Sequence, residues 1–358
     1  MKHLHIMHNE KFIASYIEFI NNNFNLSDHY FLIIGGDSQE KMPVPKYQNV
    51  KYLINLDIKY SFLKLFKKLI PIYYSLLKEI LKSEKVYFHS LFDKRVILFL
   101  FVFRKFLKKS YWLMWGGDLY CYKNRDNSFI NKIWYKIEDY VKGNFYGYVT
   151  HIKGDYRLAQ KWYEAKGKYY DCFMYPSNLY KNILLKENIK NEIYIQIGNS
   201  ADSSNNHFDI LEKLKKFQNK NIRLFCILSY GDMEYAKIVI SKGKEIFGEK
   251  FTPIVDFMKF DEYMDFLSKI DIAIFAHNRQ QAVGNITSLL SMKKTVYLKE
   301  SVTTYDMLKD LGVKVKSFDK FEDLEKFDDE ILEKNKEIIK ERFSEKRLIE
   351  DLNKIFND

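Results

Sequence analysis

The sequence predicts an α/β chain of two doubly wound domains facing each other across a cleft. Three observations point there. Along most of the 358 residues, short apolar runs rich in β-branched residues alternate with amphipathic helical patterns, the rhythm of a parallel sheet covered on both faces. That rhythm weakens and turns polar between Tyr175 and Asn191, and then restarts. The restart is Ile193 to Ile197, an apolar run that stops at Gly198, passes through small polar residues and enters a helical pattern near His207.

Taken in order, Leu4 to Met7 reads as a strand and Lys11 to Asn22 as an amphipathic helix. Tyr30 to Ile34 is an apolar strand ending at Gly35-Gly36-Asp37, and Val50 to Asn55 is a further strand. Phe62 to Lys82 has helical spacing, and Pro71 inside it predicts two helices or a kink. Lys85 to Phe88 is a short strand before His89-Ser90, and Lys94 to Lys108 a helix with aromatics and cations interleaved. Tyr111 to Met114 is a strand before Trp115-Gly116-Gly117-Asp118. Helix Ser128 to Val141, strand Tyr146 to Thr150 and helix Lys153 to Ala165 follow.

The second half repeats the alternation. Its expected strands are Ile193 to Ile197, Arg223 to Leu228, Phe251 to Val255, Ile272 to Ala276, Thr295 to Leu298 and Val313 to Val315. Helices are expected at His207 to Phe217, Met233 to Phe247, Phe260 to Ile270, Asn285 to Met292 and Thr304 to Leu311, and Asp328 to Phe356 reads as one long charged tail helix. The expected domains are residues 1–176 and 192–327, with a linker at 177–191 and the tail at 328–358.

Charge is placed unevenly. The net charge is +11, and Lys59 to Lys109 alone holds 13 Lys/Arg against 3 Asp/Glu. Such a block implies an anionic partner: a phospholipid surface, a pyrophosphate or nucleic acid. Phe66, Tyr73, Tyr74, Phe99, Phe101, Phe103 and Phe106 lie among its cations, so the stretch reads either as an interfacial surface on anionic lipid or as core rings beneath a solvated face. No nucleic-acid module signature accompanies it, and no nucleic-acid partner is expected. Cys121, Cys172 and Cys226 are far apart, which argues for a reducing compartment and against disulfides or zinc. Met1 to Ile6 reads as a strand rather than a signal peptide, and the longest apolar run, Val96 to Phe103, is too short to span a bilayer.

Three constellations carry chemistry. In the first, the backbone N–H groups after Gly198, the Ser200, Ser203 and Ser204 hydroxyls and a helix N-terminus can face one bound anion, although any βα turn holds such residues. The second is Arg279-Gln280-Gln281-Ala282-Val283-Gly284-Asn285 after a strand. There a guanidinium can clamp a phosphate, the glutamines suit sugar hydroxyls, and Gly284 admits close backbone approach; the plainer alternative is a polar loop whose Arg pairs with a carboxylate. In the third, Trp115 offers a face for a sugar or a core ring, Gly116-Gly117 a bare turn, and Asp118 a carboxylate placed for general-base work or simply for a loop. His89 and His151 each end a strand and are expected to line the cleft mouth, where either can orient an acceptor or share the base role. His3, His5 and His8 resemble a metal cluster only by count. Zinc, nucleotide-loop and Asp-x-Asp motifs are missing, so metal-free binding is expected, with no cofactor.

Taken together, Trp115 to Tyr120, Gly198 to His207, and Phe275 to Gly284 with Arg279-Gln280-Gln281 resemble the TDP-N-acetylfucosamine:lipid II N-acetylfucosaminyltransferase family, glycosyltransferase family 56. The order of the motifs agrees, and Phe260-Asp261-Glu262-Tyr263 is similar to the family's helix before the last motif. Two departures stand out: Gly116-Gly117 where the family has Gly-Ala, and a shorter loop around Tyr230-Gly231. The resemblance implies a GT-B fold of two Rossmann-like domains and transfer of 4-acetamido-4,6-dideoxygalactose, or a similar sugar, from a dTDP-sugar to a polyprenyl-diphosphate-linked glycan. It also implies a peripheral place on the cytoplasmic face of the inner membrane. A capsule or lipopolysaccharide transferase with another donor would look much the same, and a basic protein that binds nucleic acid or another polyanion is the less favoured alternative. On this reading Gly198, Asn199, Ser200, Asp202, Ser203, Ser204, Tyr230, Arg279, Gln280, Gln281 and Gly284 hold the donor. Trp115, Gly116, Gly117 and His151 meet the acceptor, and Asp118, or else His89, removes its proton.

Overall fold

The structure, a computed structural model, describes residues 1–10, 12–34, 47–53, 62–183 and 192–358, with the backbone alone for 62–70. The chain forms two compact units: Met1–Ser177 together with Glu345–Asp358, and Asn178–Ser344.

In the first unit the strands are β1 (His3–His8), β2 (His29–Ile34), β3 (Val50–Leu53), β4 (Lys85–His89), β5 (Ser110–Leu113), β6 (Gly147–Val149) and β7 (Lys168–Tyr170). They form one parallel sheet in the order β3-β2-β1-β4-β5-β6-β7. The helices are α1 (Ile13–Asn23), α2 (Phe62–Lys82), α3 (Lys94–Val102), the short α4 (Gly117–Tyr120), α5 (Phe129–Gly143) and α6 (Lys153–Tyr163). The order reverses between β1 and β4, which makes the carboxyl ends of those two strands the place where such a sheet binds ligands. His8 and His89 are the residues there.

The second unit repeats the plan. Its strands are β8 (Ile193–Ile197), β9 (Ile222–Ile227), β10 (Phe251–Ile254), β11 (Ile272–Phe275), β12 (Thr295–Leu298) and β13 (Lys316–Ser317), in the parallel order β10-β9-β8-β11-β12-β13. The helices are α7 (His207–Lys215), α8 (Met233–Phe247), α9 (Phe260–Ser268), α10 (Val283–Ser291), α11 (Thr303–Asp310) and α12 (Asp329–Arg342). Reversal falls between β8 and β11, whose carboxyl ends carry Gly198 and His277. Each unit has its own apolar core, the first around Leu32, Phe88 and Trp112, the second around Ile197, Leu224 and Ile274.

Four expectations differ from the structure. Helix α2 runs unbroken through Pro71, which lies on the exposed side, where water can take the hydrogen bond the ring removes. Helix α3 stops at Val102, and a 3₁₀ stretch, Arg104–Lys109, completes the expected helix. Strands β7 and β13 are short sheet edges without apolar alternation, so β7 escaped notice and β13 lies just beyond Val313 to Val315. The tail is two helices, α12 and α13 (Glu345–Asn357). In one continuous helix, Leu332 and Ile339 would point opposite to Leu348 and Leu352; a break at Phe343-Ser344 lets all four be buried. Helix α13 belongs to the first unit, where Lys85 Nζ binds the Phe356 carbonyl at 2.8 Å. The expected turn at Gly35-Gly36-Asp37, the end of the strand at Asn55 and the latter part of the linker lie outside the described residues.

Candidate active site

The loop after β8 is built around Asn205, which is wholly buried. Its Oδ1 accepts from Asn199 N at 3.0 Å and faces His277 Nε2 at 3.1 Å, while its Nδ2 donates to Ser200 Oγ at 3.1 Å and the Asp202 carbonyl at 3.0 Å. One amide side chain thus fixes the whole turn. Gly198 adopts φ +59°, and a Cβ there would meet His207 Nε2 at 2.7 Å, so the turn requires glycine. On its outer side the loop meets the segment after β9. Ala201 N donates to the Tyr230 carbonyl at 2.7 Å, and Asn199 Nδ2 donates to Tyr230 Oη at 2.7 Å.

The residues after β11 close over the same loop. Asn278 N donates to the Ser204 carbonyl at 3.0 Å, and the Gln281 side-chain amide lies 2.9 Å from Ser204 Oγ, whose proton goes to Asp202 Oδ1 at 2.6 Å. The Arg279 guanidinium stands 3.7 Å from the Asp202 carboxylate, and its Nη1 donates to the Gln280 carbonyl. Partial burial works to raise Asp202, but the Ser204 hydrogen bonds and then Arg279 outweigh it and hold its carboxyl below the usual range. Burial lowers His207 to about 4 and, with help from Arg279, His277 to about 3, so both rings are neutral near pH 7. Among the described residues, three buried side-chain atoms in or over the loop lack a partner: Asn199 Oδ1, His207 Nε2 and Gln281 Nε2. Such orphans are rare in a finished interior and mark places that a ligand or water completes.

At the rim of the first unit, the half-buried Trp115 lies edge-on to Phe12 and donates from Nε1 to Tyr175 Oη at 2.7 Å. Tyr175 Oη meets His89 Nδ1 at 2.8 Å, His89 Nε2 meets His5 Nδ1 at 3.2 Å, and His5 Nε2 meets His29 Nδ1 at 3.1 Å. A chain of rings therefore runs along the sheet from the Trp115 loop to the start of β2. Beside it, Ser90 has φ 71° and an unpartnered buried hydroxyl.

Against this geometry stand the comparisons. Residues 61–325 match the family described as 4-alpha-L-fucosyltransferase glycosyl transferase group 56, most of the chain's length. The chain belongs to that family. The group 56 chain is also similar in structure to Anabaena HepE in complex with UDP and glucose (TM-score 0.67, 8% identity, covering 100% of each chain). Sucrose-phosphate synthase from Thermosynechococcus elongatus (TM-score 0.68, 9% identity, 100% and 98% covered) and a glycosyltransferase from Rickettsia africae (TM-score 0.64, 11% identity, 99% and 98% covered) are similar too. The fold is GT-B, and the group 56 chain is a glycosyltransferase.

In this group 56 chain the residues expected to hold the donor cluster in the loop after β8 and the segments after β9 and β11. Asp202 accepts from Ser204 N at 2.8 Å and Ser204 Oγ at 2.6 Å and stands opposite Arg279. Gly284 lies in the first turn of α10, and a Cβ there would meet only Asn178 Oδ1, at an ordinary 3.5 Å. Nothing in the fold demands glycine at that position.

Both expected bases lie in the interior of the first unit. Asp118 is fully buried and accepts from Leu91 N at 3.0 Å, Trp112 Nε1 at 2.6 Å and Trp115 N at 3.0 Å. Burial raises its pKa against the opposing charge of Lys142 and those three hydrogen bonds, but both oxygens are spent on tying three segments together. His89 is equally buried, with a partner at each ring nitrogen. Both hold the rim in place rather than meet solvent. Of the expected acceptor residues, Trp115, Gly116 and Gly117 share that rim, with Gly116 at φ +84° opening α4, while His151 follows β6.

Within the first motif nothing in the sequence singles out Asn205 as the residue that fixes the turn, and His277, at the ligand-binding edge of its strand, shares that role through its contact with Asn205. His8 and Asp93 stand in no motif. His8 ends β1, keeps part of its ring exposed and has Nε2 at 4.0 Å from Asp93 Oδ2, which Arg95 Nη2 also binds at 2.6 Å. A histidine closing the first strand, next to the reversal of the sheet, was the available signal.

Proposed function

We propose that this group 56 chain transfers 4-acetamido-4,6-dideoxygalactose, or a closely similar sugar, from a dTDP-sugar to a polyprenyl-diphosphate-linked glycan during surface polysaccharide assembly. On this reading it works as a peripheral protein at the cytoplasmic face of the inner membrane. The observation that carries the donor half is Arg279 standing over the Gly198 to Ser204 loop, with orphaned polar atoms at Asn199 and Gln281 alongside. The donor's diphosphate lies against Arg279, the Ser203 hydroxyl and those loop N–H groups that Asn205, Asp202 and the Tyr230 carbonyl leave free. Tyr230, half exposed beside Asn199, flanks the nucleotide, and Gln280 and Gln281 face sugar or phosphate oxygens. HepE, which carries UDP and glucose on the same fold, supports a nucleotide sugar as donor.

In the transfer, an acceptor hydroxyl oxygen bonds to the sugar's anomeric carbon, and the bond to the diphosphate breaks. Negative charge grows on the departing diphosphate, where Arg279 and the loop's N–H groups lower its energy. The hydroxyl's proton passes to His8 in the first unit. Burial and the Arg95 charge lower that ring's pKa against the pull of Asp93, so it is neutral and able to accept a proton near pH 7.

A thermal-shift panel of nucleoside diphosphates tests the donor half. A rise in melting temperature selective for dTDP is expected. A rise confined to UDP or GDP would move the protein to another nucleotide sugar, and the absence of any rise would overturn the site.

A further inference from the structure

Helices α3 and α5 pack side by side in the first unit, with Phe101 edge-on to Tyr140 and the Lys94 ammonium over the Trp134 ring. Their outward face is apolar. Phe129 is 78% exposed, Ile130 76%, Val102 59% and Ile133 52%. On α5, Phe129, Ile133, Lys136 and Tyr140 follow one another at helical spacing along a single stripe. The same surface carries the exposed cations Lys94, Arg104, Lys132 and Lys136. The neighbouring acids bind groups other than these cations. Glu138 and Asp139 are held by Arg125, and Asp126, just before α5, accepts from Ser128 N and Asn131 Nδ2. Apolar rings and branched chains set among unopposed lysines suit neither bulk water nor a second copy of this face, which would bring like charges together.

We propose that the α3–α5 face is the surface by which the protein docks on an anionic phospholipid bilayer. Phe129, Ile130 and Ile133 enter the headgroup region, and Lys94, Arg104, Lys132 and Lys136 meet lipid phosphates. The face adjoins the acceptor rim: Phe92, 52% exposed, lies 6.3 Å from the Trp115 ring and against Gly117. Docking would therefore set the Trp115 loop at the lipid surface. This surface takes only α3 and Arg104 from the basic block the composition pointed to and adds α5; of that block's rings, Tyr74 is exposed on α2. Phe99 and Phe106 of the basic block are core, Tyr73, Phe101 and Phe103 are packed on it, and the Phe66 side chain lies outside the described residues.

The inference rests on the lipid-linked acceptor reading but is tested apart from it, by vesicle flotation of the full chain. Wild type is expected to float with phosphatidylcholine vesicles containing phosphatidylglycerol, weakly with phosphatidylcholine alone, and less as salt rises. Combined Phe129→Asp, Ile130→Asp and Ile133→Asp, and separately combined Lys132→Glu and Lys136→Glu, should each cut partitioning at least about tenfold. Because all five side chains are exposed, melting temperature and nucleoside-diphosphate binding should stay unchanged. Undiminished flotation of both variants, or no flotation of wild type, overturns the proposal. So does a wild-type dimer that the triple variant abolishes in the absence of vesicles. Flotation without transfer to any lipid-linked acceptor would leave the docking face standing and remove the acceptor reading alone.

Discussion

Arg279, after β11, and Asp202, in the loop after β8, face each other at 3.7 Å, so the cation we propose for a diphosphate is held by an acid of the neighbouring loop. Both side chains keep part of their surface exposed, and the pair is a weak one that a doubly charged ligand can break. Arg279→Ala should therefore lower turnover about 100-fold or more, on the scale of losing one strong charge-stabilising group. Its melting temperature should barely move. Steady-state kinetics beside a melting curve checks this, and full turnover in the folded variant would remove Arg279 from the reaction.

Asn205 should prove more important to the site than any residue that touches the donor. Asn205→Ala removes four hydrogen bonds at once and strands buried partners, at a cost of about 3 kcal/mol or more. The expected result is a lower melting temperature together with weakened nucleoside-diphosphate binding. A donor affinity unchanged by this substitution would show that the loop does not bind the donor.

For Asp118 the expected loss is structural. Asp118→Asn sets an amide N–H₂ against one of the three N–H donors that the carboxylate now accepts, which costs about 1–3 kcal/mol. Melting temperature should fall, while the acidic limb of the pH–rate profile stays where it was. A profile that loses this limb at constant stability would restore Asp118 as the base.

Much of the fold was legible because parallel strands buried on both faces read as apolar runs, and Met233 to Phe247 and Thr295 to Leu298 fall where their patterns put them. The turn after β8 was legible for a related reason: Gly198 and the small polar residues after it mark a strand end with a positive φ before a helix. What escaped was whatever depends on a partner distant in sequence. Asp118 looks like a base until Leu91 and Trp112 are seen to take its oxygens, and α13 looks like part of a tail until Phe356 is seen packed on His29 at 4.7 Å. His8 gains meaning only when β4 brings Asp93 to it.

His8 should carry the acidic limb instead. With its pKa below 6.5 through burial and Arg95, against Asp93, a hydrogen bond to the Ile34 backbone and Glu10, His8 is protonated only as pH falls below its usual range, and activity should fall with it. His8→Asn should abolish that limb and lower kcat while KM for the donor stays within a few-fold. Asp93→Asn, by removing the charge that raises His8, should move the limb to lower pH. An unchanged profile in His8→Asn would dismiss the residue from proton transfer.

Acid should destabilise the protein through its buried imidazoles. Burial, with smaller charge effects, holds His3 and His207 at about 4 and His29, His89 and His277 at about 3, against 6.5 in the unfolded chain. Below pH 6.5 the unfolded chain binds the additional protons, so stability is complete above that pH and falls as pH drops toward the folded values. At pH 5 a single such ring costs about 2 kcal/mol. Because His3, His5, His29 and His89 lie in one connected chain, protonating any of them opposes protonating the next, and opening the first unit should release all four together. Urea midpoints measured from pH 7.5 to 4.5 should fall steeply below 6.5, and His89→Gln should reduce the slope. A flat dependence over that range would mean that the folded imidazoles take up protons as readily as free ones.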